Sequence, residues 1–218
     1  MKKRLAVAGI LVLIILLSMG LASSQEENGE EDEASLDDPE SWDEDFVKNN
    51  PDKAFEKDPD KAVEEYPALL DNADMAEEFF SGEKASGRIS SYPDRAKNHF
   101  SDPANAESNP EGYKELLNQF PDQAAENPRV FENMANKDIS IVNDNMGAFN
   151  TYIKDAHGVE LEVSDGVTFK SFGKNHAMTT SGSRSTTFMP EQLADLKARG
   201  YGDFTVGPDG ELKFSSQE

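Results

Sequence analysis

Apolar positions change their period three times along the 218 residues. Leu5 to Ala22 is an uninterrupted apolar run behind Lys2, Lys3 and Arg4, and the small residues Ala22 and Ser24 suit a cut before Gln25. This predicts an export segment over 1–24, either a cleaved signal or a retained anchor. Both send the remainder across the membrane, because the basic flank stays on the cytoplasmic side. Membrane contact is expected only through residues 5–22.

From residue 46 the spacing becomes helical. Proline recurs at 51, 59, 67, 93, 103, 110, 121 and 128, each followed by a helix-forming run. Proline at a first helical position gives up an N–H that would have been unpaired, and Asp or Asn before it can cap the turn. Each proline also stops the helix before it. The apolar residues fall three or four apart: Val63 and Tyr66, Met75 and Phe79, Tyr113 with Leu116 and Leu117, Val130 with Phe131 and Met134. Pro-Asp-Lys-Ala stands at 51 and 59, with relatives at Pro93 and Pro121, and aromatic-proline pairs at Tyr66, Tyr92 and Phe120 recur after 26 and 28 residues. This is a degenerate internal repeat, which predicts short helices stacked over 46–137. A gripping surface in such a stack would carry Tyr92, Phe100, Tyr113 and Phe120 on its concave face.

Beyond Asp138 the pattern turns to alternation, which predicts strands with one buried face. Ile139 and Ile141 start it, followed by Val159, Leu161 and Val163, then Val167 and Phe169 across an Asp165-Gly166 turn. A second hairpin is expected from 177–180 to 185–189, a helix from Pro190 to the Gly200 stop, and a last hairpin across Gly207-Pro208-Asp209-Gly210. The fold class is therefore α+β in four parts. They are the export segment at 1–24, a linker at 25–45, a helical repeat-like region at 46–137 and a small β-rich domain at 138–218.

Charge defines the linker. The chain has 43 acids against 21 bases, a formal charge of -22, and residues 25–45 hold twelve acids with no base. Such a block repels itself and buries too little apolar area to order, so an acidic disordered tether is expected. The remaining acidic bias suits a high-salt habitat. It also argues against nucleic acid as a partner, since a polyanion needs cations to release its counterions. With no cysteine, thiolate metal sites, disulfide scaffolds and cysteine nucleophiles are excluded.

Chemistry-bearing patterns are sparse. No nucleophile elbow, His-Glu-x-x-His pair or phosphate loop occurs, no cofactor or metal is expected, and His99 reads as a surface histidine. One stretch departs from the rest: between Asp165 and Glu191 there is no acid, while Lys170, Lys174, His176 and Arg184 stand among serines and threonines. This basic patch is the candidate binding site, able to hold an anion, a glycan or the acidic tether. The expected function is non-enzymatic: an exported, cell-surface or secreted protein that contacts other surface or secreted proteins, and glycans, through its helical array and β domain. The alternative is a secreted glycan-binding module or hydrolase with its site around His157, Glu160, Glu162, Lys170 and His176.

Overall fold

The computed structural model describes residues 34–173, 176–181 and 184–216, with the strands between 176 and 186 described by their backbone. The helices are α1 (Glu44–Asn49), α2 (Pro51–Lys57), α3 (Pro59–Glu65), α4 (Ala73–Phe79), α5 (Ala85–Ser91), α6 (Pro93–Phe100) and α7 (Pro103–Ser108). They continue with α8 (Pro110–Gln119), α9 (Gln123–Glu126), α10 (Pro128–Lys137), α11 (Ser140–Asn143), α12 (Met146–His157) and α13 (Pro190–Ala198). The strands are β1 (Leu161–Val163), β2 (Thr168–Gly173), β3 (His176–Ser181), β4 (Arg184–Phe188), β5 (Tyr201–Val206) and β6 (Leu212–Ser216). The class is α+β.

The helix starts obey the local rules. Proline opens α2, α3, α6, α7, α8, α10 and α13. Where the preceding residue caps, its oxygen takes an otherwise orphaned N–H: Asp58 accepts from Lys61, Asp102 from Ala104 and Asn109 from Gly112. Ala54, Ala62, Ala96 and Ala124, the fourth residues of the repeated tetrads, have no exposed surface. A methyl at that position lets neighbouring short helices approach closely, which explains why the tetrad repeats.

Hydrogen bonds and ion pairs link positions roughly one repeat apart. Asp60 pairs with Arg88, Asp71 with Arg95, and Glu107 with Lys137, while Asn109 Nδ2 donates to the Phe80 carbonyl at 3.1 Å. Beneath them runs a chain of rings from Phe79 through Phe80 and Phe100 to Tyr113.

Three expectations about the elements need correction. Ile139 and Ile141 do not begin a strand. Ile141 and Val142 are both fully buried as adjacent residues, and Ala148, Phe149, Tyr152 and Ile153 follow the helical spacing of α12. That helix ends where Gly158 takes a left-handed φ of 70°. Nor do β1 and β2 form a hairpin across Asp165-Gly166. β1 lies parallel to β5 in one sheet, ordered β1-β5-β6, while β2 joins β3 and β4 in another. Finally, the linker expected at 25–45 is folded from 34 onward. Trp42 is buried, its Nε1–H donates to the Ser35 carbonyl at 2.7 Å, and its ring stacks on Phe46. Residues 25–33 and the export segment lie outside the described residues. The hairpins β3-β4 and β5-β6 and the helix from Pro190 form as expected.

Helical and β regions share a core within one compact unit beginning at Ala34. Phe131 of α10, Phe149 of α12 and Phe172 of β2 meet with ring centroids 5.7–6.0 Å apart. Each such ring, fully buried, contributes about 1.5–3 kcal/mol. Asn143 fastens the junction: its Nδ2 donates to the Phe169 carbonyl and its Oδ1 accepts from the Phe169 N–H.

Candidate functional site

In the helical region an open concavity of about 660 Å³ lies among Asp60, Glu64, Phe79, Glu83, Lys84, Arg88 and Tyr92. Pro59 and the Asp58 cap fix the first turn of α3, which places Asp60 toward α5. Arg88 Nε donates to Asp60 Oδ1 at 2.6 Å, its Nη1 donates to the Phe79 carbonyl at 2.8 Å, and its guanidinium lies 4.4 Å from the Phe79 ring centre. Lys84 Nζ reaches the other Asp60 oxygen at 2.5 Å. Chiefly through the hydrogen bond from Arg88, Asp60 is held below the ordinary carboxylate pKa, so it stays ionised. Tyr92 packs edge-on against Phe79, and partial burial raises its hydroxyl pKa, with Glu64 and Asp60 adding to the effect.

The result is a wall of packed aromatic and guanidinium surface with a charged rim. Arg and Tyr in partly desolvated positions are among the side chains on which protein interfaces concentrate their energy, and Phe79, 1% exposed, backs them from the core. Of the four aromatics expected on a concave face, Phe100 and Tyr113 are instead core, each 1% exposed, because they continue the buried ring chain. Tyr92 and Phe120 remain half-buried, the latter under the ammonium of Lys97. His99, expected at the surface, is buried between Phe80 and Phe100.

In the backbone register His176 and Arg184 of the basic patch stand at opposite ends of β3. Lys170 is exposed on β2 at its register shift, while Lys174 lies outside the described residues. His176 opens β3 opposite Gly173, and Arg184 opens β4 opposite Ser181. Positions 176 and 181, five residues apart on one strand, are separated by about 17 Å at the usual rise. The side chains of His176 and Arg184 lie outside the description.

Glu160 and Glu162 line a smaller cavity of about 290 Å³ with Lys197, Asp203, Phe204 and Thr205. Lys154 hydrogen-bonds Glu160 at 2.7 Å and holds its pKa below the usual value, which is opposite to what a general acid needs. His157 does not line that cavity. Its Nε2 is 3.0 Å from the Tyr152 hydroxyl, which donates to Glu132 Oε1 at 2.8 Å. A phenol with its hydrogen committed to Glu132 accepts from the histidine, so His157 carries a proton on Nε2. This chain ties α10 to the end of α12. Burial, together with the Glu132 bond, pushes the Tyr152 hydroxyl far up.

The sequence carries one signal for the groove: Asp60 and Arg88 are 28 residues apart, the interval between the aromatic-proline pairs at Tyr92 and Phe120. The Glu132-Tyr152-His157 chain had none, since its members come from separate turns. Among the described residues no cluster of three or more metal-ligating side chains occurs, and no helix is long and apolar enough to cross a membrane. No family model matches the chain, and neither a curated protein nor a solved structure is similar to it.

Proposed function

We propose that this is an exported, non-enzymatic protein at the cell surface or in the external medium, which binds another surface or secreted protein through the groove of its helical region. The observation that carries the reading is the Arg88-Tyr92 wall, backed by the buried ring of Phe79 and lying beneath the rim of Asp60, Glu64 and Lys84. It offers anchor chemistry in a preorganised form, because Arg88 is already fixed by Asp60 and the Phe79 carbonyl. Export rests on Lys2 to Ser24. A non-enzymatic role is supported by the ion-paired state of Glu160 and the internal bond of His157.

The test is quantitative capture from a cell-envelope extract with residues 34–218 as bait, comparing the parent with Tyr92→Ser and Lys84→Glu. The expected result is one partner enriched by the parent and depleted at least tenfold by both variants. Equal recovery by all three baits would remove the groove from the interface.

A glycan-binding reading has one observation in its favour, the carboxylates of Glu160, Glu162 and Asp203 around a cavity that also holds Phe204. Carboxylates beside an apolar ring suit sugar hydroxyls. Saturation-transfer spectra with a panel of acidic and neutral oligosaccharides, lost in Glu162→Gln, would favour it over the groove.

A further inference from the structure

The sheet ordered β1-β5-β6 ends on β6, and among the described residues no strand pairs with its outer edge. The hairpin fixes which backbone groups face out. Gly207 N–H donates to the Glu211 carbonyl at 2.9 Å and Gly210 N–H to the Gly207 carbonyl at 2.8 Å, with Gly210 at a left-handed φ of 78°. Residue 211 therefore faces β5, and by two-residue alternation so do 213 and 215. Leu212, Phe214 and Ser216 turn their N–H and C=O groups to the open side.

Open edges are usually guarded by proline, by several charges or by a bulge that twists the strand away. β6 has only Lys213, and the register shift at Asp203 belongs to its partner β5. Phe214 is 45% exposed, the large hydrophobic residue left in solvent among those described. It lies beside Tyr201 and Phe204 at 5.5 and 6.0 Å.

We infer that β6 is a self-pairing edge: a second copy of this chain adds its own β6 antiparallel, about a two-fold axis at Phe214. This register sets Phe214 against Phe214, Lys213 against Ser215 and Leu212 against Ser216, and it uses the outward-facing groups of both strands. Charge complementarity selects a copy as the occupant. A chain of charge -22 repels itself over most of its surface, but residues 212–217 contain one base and no acid. Ser215 donates its hydroxyl to Asp203 Oδ2 at 2.7 Å, so the Lys213 ammonium of one copy approaches the Asp203 carboxylate of the other. Among the described residues, the ion pair of Lys213 is a long contact of 3.5 Å with Asp209, which leaves it able to turn. The inference is independent of the helical groove.

The experiment is sedimentation velocity of residues 34–218, a unit with its own core, across a concentration series at fixed salt. A five-residue strand pair is a small interface, so a reversible dimer with a Kd on the order of 100 μM is expected. Phe214→Ser removes the central ring and Ser216→Pro removes an outward N–H. Each should weaken association at least tenfold while circular dichroism stays that of the parent.

A second measurement does not depend on those variants folding well. The chain has no cysteine, and the inferred register sets Leu212 of one copy opposite Ser216 of the other with Cα atoms about 5.5 Å apart, within disulfide reach. A mixture of Leu212→Cys and Ser216→Cys chains, which keeps Phe214, should form the mixed covalent dimer under mild oxidation many times faster than a mixture of Leu212→Cys and Lys170→Cys chains. A monomer at every concentration would assign the edge to a foreign strand and overturn self-pairing. So would a dimer untouched by Phe214→Ser and Ser216→Pro, or equal cross-linking in the two mixtures.

Discussion

At position 99 an imidazole is enclosed where water does not reach it. His99 is 5% exposed, between the rings of Phe80 and Phe100, and Asn105 Nδ2 donates to its carbonyl at 2.9 Å and lies 3.4 Å from Nδ1. With Nδ1 as the acceptor, the proton resides on Nε2, which has no partner among the described residues. Burial lowers the pKa below 6.5, against the opposing pull of Glu77 and Asp102. The folded state therefore binds the proton less well than the unfolded chain. Stability from this group is complete above about pH 6.5 and declines as pH falls below it. Urea midpoints measured between pH 7.5 and 5 should drop in the parent, and His99→Gln should flatten that slope. An unchanged slope would show that the imidazole is solvated. Gly112 illustrates a constraint of another kind. A Cβ there would meet the Phe80 carbonyl oxygen at 2.7 Å and Phe100 Cζ at 2.8 Å, so the residue is glycine because α8 crosses the end of α4 too closely for a side chain.

Between elements, ion pairs one repeat apart join short helices that could not stand alone. A seven-residue helix is too short to be stable by propensity, so α3 depends on its neighbours. Asp60 is the member most bound into such a pairing, through Arg88 first and then Lys84. Its depressed pKa means that its contribution is present at neutral pH and is lost as pH falls through and below the ordinary value of 3.8. The thermal midpoint of Asp60→Asn should therefore lie below that of the parent at pH 7. The gap should close as the solution is acidified through that range. Both partners are partly solvated, so the effect at pH 7 is expected to be modest and reduced by salt.

For the molecule as a whole, the part of the acidic tract from residue 34 onward is folded. Trp42 belongs to the core, although its neighbours Asp43, Glu44 and Asp45 are acids, because its indole closes on Phe46 and the Ser35 carbonyl. Trp42→Ala should cost about 3–5 kcal/mol in urea unfolding, the usual range for removing a buried aromatic. A cost below about 1 kcal/mol would return residues 34–45 to the solvated spacer. Charge density alone misplaced this boundary, since one large apolar side chain with a fixed hydrogen bond outweighs the local repulsion of exposed carboxylates.

What the sequence by itself determined is whatever depends on neighbours along the chain. Proline starts and Asp or Asn caps act within four residues, so the short helices were legible. The Pro190 helix and the β5-β6 hairpin were legible because their stops and turns carry glycine or proline. Tertiary structure alone decided what depends on distant partners. It put β1 beside β5 across β2, β3, β4 and α13, made Ser140–Asn143 and Met146–His157 helical with Phe149 packed on Phe172, and withdrew Phe100, Tyr113 and His99 into the core. The groove stands between these limits. The 28-residue interval from Asp60 to Arg88 is in the sequence, but an interval becomes a contact only when successive helical units stack.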